Sequence, residues 1–443
     1  MQRTSTTSIN LARVGLAALL AWNVWRAVTQ SVTAGEALNY DGFIGPEWKE
    51  SLARFDSNNH FLNTLLVRIS TWRIHLTEFS LRLPSLVFGA LYLVAVYRLA
   101  RRWFGSGALF LAVVGLLVLN PLVVDAMSEA RGYGMALAAW MWALEVVTRE
   151  EDAAGAWVGV LLGLSVAASL AFAAPAVALI VTIYARRAER KPGPQVPQVA
   201  FLTAFVLLAV PLNHAEMSVV TEGAGSLRQT LNELAASSLG SGNAVLAAAV
   251  RVGVGILAAA GLALGVFRRK TSALLYVSGT SLVLCLALML AAHRFAHAAF
   301  PEGGALYLVP LVSLFVAAMI GRWGGEAAQF TFVAIAALCV GSYVNQLRPA
   351  YRGATGVEGG RQLAQALRAG AQNHGVSIGA SADALPVIRF YRWRYRQANW
   401  ETIEALRPGA SYSYYVLTAA DSLLVRERGL HVVYSEPGLT LAQ

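Results

Sequence analysis

Charge is what this sequence has least of. Only 14% of its 443 residues are charged, against roughly a quarter in an ordinary soluble domain. A soluble chain of this length needs a polar skin, and 56% hydrophobic residues leave too little polar side chain to make one. Cysteine is scarce as well. Cys285 and Cys339 are the two present, both inside apolar runs. That excludes a disulfide-stapled secreted domain and any paired-cysteine metal site. Acidic residues are also few, 25 Asp and Glu against 35 Lys and Arg. In a soluble protein that excess would suggest nucleic acid. Here many basic residues sit in short loops between apolar runs, where they set membrane topology, and no nucleic-acid partner is implied.

Long apolar runs are plentiful. A spanning helix takes about 20 mostly apolar residues. Spans are expected at about 11–31, 84–101, 106–124, 133–149, 197–213, 244–266, 272–292, 303–321 and 328–346, with two more inside 153–185. The first lacks a small-x-small cleavage site and reads as an anchor rather than a cleaved signal. The stretch 153–185 is too long for one helix and tight for two at about 1.5 Å per residue, and Pro175 marks the expected turn. Charge asymmetry agrees with the resulting eleven or so spans. With the N-terminus in the cytoplasm, the cytoplasmic segments carry 14 Lys and Arg against 8 in the outer loops that join spans. Three long segments, about 32–83, 213–243 and 347–443, then lie outside.

The expected architecture is an all-α polytopic membrane domain over 1–347, with interfacial helices in its first outer loop. A small extracytoplasmic α/β domain follows over 348–443, with short strands at 376–378, 414–417 and 430–434 alternating with helices.

Candidate functional residues gather in the outer segments. In the first loop, Trp48, Leu52 and Phe55 follow Pro46 at helical spacing. A second stripe of Phe61, Leu62, Leu65, Leu66, Ile69 and Trp72 follows the cap-type residues Ser57, Asn58 and Asn59. Neither stripe is long enough to span, so each is expected in the interface plane. Glu36, Asp41, Asp56 and His60 sit on that ledge. Such residues either serve as a general base or metal ligand, or cap helices and solvate a loop. Further on, Asp125, Glu129 and Arg131 crowd into seven positions. Glu129 suits a helix start, and Arg131 suits a phosphate, two of whose oxygens its fork bonds at once. Gly132 and Gly134 permit close approach of a ligand or a neighbouring helix. Arg26 and Arg251 read as snorkelling. His293, Arg294, His297 and Glu302 make a divalent metal a candidate cofactor, although their spacing matches no strong template. In the tail, Arg389 to Trp400 interleaves Arg with aromatics. That pattern suits either sugar or headgroup binding, or a solvated helix with one packed face.

Four of these features, in order, resemble the GT-C superfamily of membrane glycosyltransferases, near the family 39 type of protein O-mannosyltransferases and aminoarabinose transferases. They are Ala34-Gly35-Glu36-Ala37 after the first span, Asn58-Asn59-His60 at an interfacial helix, Leu81-Arg82-Leu83-Pro84 opening the second span, and Ser128-Glu129-Ala130-Arg131-Gly132-Tyr133. The resemblance covers about residues 10–150 by motif and the remainder by architecture. It implies inverting transfer of a sugar from a polyprenyl-phosphate carrier to a protein, lipid or glycan acceptor, at the outer face of the cytoplasmic membrane. A carboxylate, Asp41 or Glu36, would be the base. His60, Asn59, Glu129, Arg131, Arg294 and Tyr307 would contact substrate, and membrane lipid would surround the spans. Two departures stand out. Gly35 occupies the position where relatives carry Asp, and the segment from Pro301 to Tyr307 lacks the Arg common there, with Arg294 as its candidate substitute. The alternative is a non-catalytic binder of lipid-linked sugar on the same scaffold.

Overall fold

The structure is a computed structural model that describes the chain except residues 1, 53–58, 150–154, 187–194, 214–222, 241–242, 268–270, 302–303, 372–373 and 437. Asp56, Ser57, Asn58 and Glu302 lie outside the described residues, as do the basic residues Arg187, Arg190, Lys191, Arg268, Arg269 and Lys270.

The chain opens with α1 (Gln2–Thr29). A short α2 (Ala34–Asn39), a single π turn over Tyr40–Ile44, α3 (Trp48–Leu52) and α4 (Phe61–Ile74) make up the first loop. Next come α5 (Glu78–Phe104), α6 (Ala108–Val118), α7 (Pro121–Ala126), α8 (Tyr133–Val147), α9 (Ala156–Ala168), α10 (Ala173–Arg186) and α11 (Gln195–Leu212). The amphipathic α12 (Leu227–Leu239) precedes α13 (Ala244–Phe267), α14 (Ala273–Ala296), α15 (Leu308–Trp323) and α16 (Glu326–Asn345). Among the described residues, six helices are long and apolar enough to cross a membrane alone, and five further apolar helices are shorter. The chain is a multi-pass membrane protein. Its outward faces confirm which solvent they meet. Phe330 and Leu338 on α16 are each 76% exposed, a burden that water would not tolerate and hydrocarbon accepts.

Large side chains fill the centre of the bundle, among them Tyr92, Phe110, Trp140, Phe172 and Phe315. The break inside 153–185 falls at Ser169, which is extended, and not at Pro175. Pro175 lies in the first turn of α10, where a missing N–H leaves no hydrogen bond unmade. At the C-terminal ends of α5 and α8, buried Glu145 takes the guanidinium groups of Arg98, Arg102 and Arg149 at 3.4, 2.9 and 2.6 Å.

After α16, the tail forms α17 (Gly360–Gly370), α18 (Leu385–Tyr395), α19 (Leu423–Glu427) and a five-stranded sheet. The strands are β1 (Val376–Ala380), β2 (Trp400–Ala405), β3 (Tyr414–Thr418), β4 (Val432–Glu436) and β5 (Leu439–Ala442), in the order β2-β1-β3-β5-β4. β1 runs parallel to β2 and β3, and β5 runs antiparallel to β3 and β4. Sequence patterning does not mark β2, whose glutamates interrupt it, or the four-residue β5.

Helix α18 is the dock between this sheet and the membrane end. Arg389 pairs with Asp41 at 3.0 Å, and Phe390 meets Tyr40 edge to face with ring centres 5.2 Å apart. Tyr391 donates to Glu78 at 3.1 Å, and Arg394 and Arg361 close ion pairs on that same carboxylate. The arginine–aromatic segment therefore gives Arg389, Phe390, Tyr391 and Arg394 to docking, and Trp393 alone of its aromatics is well exposed. One continuous apolar core joins the tail to Val32, Ala37, Tyr40 and Ile44 of the first loop.

Candidate functional site

The site grows from the N-cap of α2. Thr33 closes a capping box: its hydroxyl accepts from the Glu36 N–H at 3.1 Å, and Glu36 Oε2 accepts from the Thr33 N–H at 2.9 Å. This turns the Glu36 carboxylate inward, toward the second turn of α5. Arg82 reaches it with both prongs, Nε to Oε1 at 2.8 Å and Nη2 to Oε2 at 2.6 Å. The Ala130 N–H adds a bond to Oε1 at 2.9 Å. Both side chains are fully buried. Burial by itself would raise the Glu36 carboxyl, but the Arg82 charge and four donated hydrogen bonds outweigh it and hold it below the usual carboxylate range. A carboxylate so engaged has no lone pair facing an acceptor, and the catalytic role expected of Glu36 does not fit. It is the keystone that ties α2, α5 and the loop before α8 together.

Around this keystone lie Glu129, Arg131 and His60. Glu129 Oε1 accepts from the Thr33 hydroxyl at 3.0 Å. The backbone of Gly353 covers it so closely that a Cβ there would lie 2.9 Å from Oε1. Burial first, then the charges of Glu36 and Asp125, push its carboxyl up to about 7 against the pull of Arg131. Arg131 lies over the Tyr133 ring at 5.4 Å and against Gly35, where a Cβ would come within 3.0 Å of Nε. Among the described residues its guanidinium makes no hydrogen bond or ion pair. The arginine thus occupies the space left open by the missing side chain at position 35. His60 is buried edge-on to Tyr133, ring centres 4.6 Å apart. Its Nδ1 lies 3.2 Å from the Ala168 carbonyl, which can only accept, so Nδ1 carries the proton and Nε2 does not. Burial, helped by the Arg131 charge, lowers the imidazole to about 3.

The remaining expected residues divide. Asn59 is in the cluster, its Oδ1 accepting from Thr64 at 3.2 Å. Asp41 stands at the rim, in the π turn, partly exposed and paired with Arg389. Arg294 is exposed at the end of α14. Tyr307 is buried inside the bundle, where its hydroxyl donates to Met289 Sδ at 3.3 Å. Neither joins the cluster, so the substrate contacts expected of them find no support in the geometry. Gly132 adopts φ 72°, and a Cβ there would lie 2.4 Å from the Ala168 carbonyl oxygen and 2.7 Å from His60 Cβ. It serves packing. No three His, Cys, Asp or Glu converge as metal ligands among the described residues.

Sequence reading misses several members. Arg26 does not snorkel. It is buried and bonded to Asp125 at 2.6 Å and to the Pro349 carbonyl at 3.0 Å. Arg251 likewise bonds Asn232. Tyr351, two residues on from Pro349, slides between Arg26 and Arg82, whose guanidinium carbons lie 4.2 and 4.4 Å from its ring centre. Its hydroxyl donates to Ser128 at 3.1 Å. An arginine inside an apolar run is the sequence signal that flags both Arg26 and Arg82. Nothing in the sequence flags Tyr351.

No family profile matches the sequence, and no curated protein does. Among solved structures, the chain is similar to the aminoarabinose transferase ArnT from Cupriavidus metallidurans bound to undecaprenyl phosphate, with 13% identity, coverage of 98% of each chain and a TM-score of 0.50. The apo form of the same transferase gives 12% identity, 98% and 97% coverage, and 0.48. The arabinosyltransferase EmbB from Mycobacterium smegmatis gives 14% identity over 80% of this chain and 42% of its own, with a TM-score of 0.33. The first of these spans the bundle, the interfacial helices and the tail sheet alike. From end to end, this chain shares its fold with the solved structure of that aminoarabinose transferase.

Proposed function

We propose that this protein transfers a sugar from a polyprenyl-phosphate carrier to an acceptor at the extracytoplasmic face of the cytoplasmic membrane. The observation that carries the proposal is the half-buried guanidinium of Arg131, in the loop before α8 with Gly35 beside it, which makes no hydrogen bond or ion pair among the described residues. Buried guanidinium N–H groups left without acceptors are costly unless an anion completes them, and a phosphate takes two of them at once. A shared fold with a transferase bound to undecaprenyl phosphate supports the same anion. An apolar cavity of about 370 Å³ between α1, α6 and α16, lined by Leu16, Leu111 and Val340 among others, offers a prenyl chain a path beside the bundle.

In this scheme a carboxylate takes the proton of the acceptor hydroxyl, and the freed oxygen attacks the anomeric carbon. The bond from that carbon to the phosphate oxygen breaks with inversion, and Arg131 stabilises the leaving phosphate. Asp41 is the base we assign, because it alone of the loop carboxylates named here stands at the open rim with an oxygen not bound to Arg389. Glu129 is the second candidate, since its raised proton affinity suits a base working near neutral pH. The loop charge bias supports a cytoplasmic N-terminus and an extracytoplasmic unit over 348–443, testable with a compartment-specific reporter fused after Gln443.

The direct test is sugar transfer by the purified protein from labelled polyprenyl-phosphate donors. Arg131→Ala should weaken donor use roughly 10- to 150-fold, the cost of a lost charge-assisted contact, while Arg228→Ala, exposed in the first turn of α12, should not. Equal and small effects of the two changes would remove the phosphate assignment.

A further inference from the structure

Three buried polar atoms beside the keystone have no partner among the described residues: His60 Nε2, Asn63 Oδ1 and Asn39 Nδ2. They are close neighbours. His60 caps α4 and Asn63 lies three residues on, so both sit on one side of its first turn. Thr64 bridges to α2 by donating to Asn39 Oδ1 at 3.4 Å. Asn63 Nδ2 donates to the Ala130 carbonyl at 3.0 Å, one residue before Arg131. That bond fixes which end of the Asn63 amide is the acceptor. The tautomer of His60 is fixed likewise by the Ala168 carbonyl. The cluster thus presents two acceptors and one donor, all uncharged, next to the Arg131 cation.

Buried polar atoms in a native structure are nearly always satisfied, so three orphans on neighbouring turns call for a bound group or water to supply the missing bonds. Neighbouring hydroxyls have the matching chemistry: each donates once and accepts, so two of them fill two acceptors and take the one donor. We propose that His60, Asn63 and Asn39 form a subsite that reads adjacent hydroxyls of the donor sugar and so sets which sugar is accepted. The inference rests on the carrier-phosphate reading above, which puts a sugar one bond from the anion at Arg131. A site built to bond a hydroxyl rejects analogues lacking it far more strongly than an apolar pocket rejects an extra one, which is what specificity here requires.

The test measures binding of two probes to the full-length protein in nanodiscs. One is bare undecaprenyl phosphate. The other is a panel of undecaprenyl-phosphate-linked hexoses and pentoses differing in single hydroxyls. The parent should bind at least one glycosylated carrier more tightly than the bare one. His60→Phe, which loses Nε2, and the near-isosteric Asn39→Leu, which removes the donor without adding a charge, should each weaken that carrier about 10-fold or more. Both should leave bare carrier unchanged. His60→Gln, which restores an acceptor, should recover part of the loss and serves if His60→Phe fails to fold. Equal losses on both probes, or no loss on either, mean that the three atoms hold only structural water, and the subsite is overturned. It is overturned too if no glycosylated carrier outbinds the bare one. Failure of the parent to bind even bare carrier would instead bring down the phosphate reading.

Discussion

Glu36→Gln separates a structural carboxylate from a catalytic one. The change keeps the side chain's shape and one acceptor oxygen but removes the charge opposite Arg82. In the parent, two charge-assisted bonds of 2.8 and 2.6 Å join the two groups, and neither side chain is exposed. Removing one member of a buried ion pair leaves the other uncompensated, at a cost of about 3–5 kcal/mol. Each carboxylate oxygen accepts one backbone N–H and one Arg82 N–H, so whichever oxygen becomes NH2 leaves one of each facing a donor. The variant should therefore melt well below the parent in detergent, followed by intrinsic tryptophan fluorescence, and should lose activity only in step with folding. Exchanging both partners for apolar residues, Glu36→Leu with Arg82→Met, should recover much of the loss, and a double-mutant cycle should give a coupling of several kcal/mol. The pH dependence has a definite sign. The folded carboxyl lies below its ordinary 4.5, so its contribution is present above about pH 4.5 and is lost as pH falls through the folded value. A Glu36→Gln protein that melts like the parent yet turns over nothing would refute the keystone and return Glu36 to the reaction.

Other outcomes follow from the same geometry. Because the imidazole of His60 sits at about 3 when folded and 6.5 otherwise, the unfolded chain binds the extra proton between those values. Stability should fall by up to about 1.4 kcal/mol per pH unit as pH drops through that window, and chemical denaturation of His60→Gln should show a shallower slope. The Glu129 carboxyl gains charge as pH rises through about 7, so bare-carrier affinity should decline over that range, and Glu129→Gln should flatten the profile. Gly132→Ala forces a side chain into a left-handed residue 2.4 Å from a carbonyl oxygen. Its expression and melting temperature should both drop sharply, whereas Gly105→Ala, with open space around it, should cost only the backbone strain. Finally, Asp41→Asn should abolish transfer while preserving carrier binding. A normal rate would pass the base assignment to Glu129.

The sequence by itself determined the solvent, the number of apolar helices and the order of motifs along the first third of the chain. Those properties are local: a run of apolar residues spans whatever follows it, and basic loops choose a side regardless of packing. Even the position of α4 was legible, though the roles of its faces depend on the medium. Its polar side, Asn63, Thr64 and Ser70, turns into the protein, and Ile69, Trp72 and Ile74 turn out, because lipid competes for apolar surface as well as a protein core does. What only the tertiary structure decided are the partners of the charges. Glu36 and Asp41 lie five residues apart and read alike as loop acids. One is sealed against an arginine 46 residues away and the other is held by an arginine from the tail. Ion pairs between distant segments leave no periodicity in the chain. They are set by which helix ends the bundle brings together, and that same convergence places Arg131 beside Glu129 and Gly35.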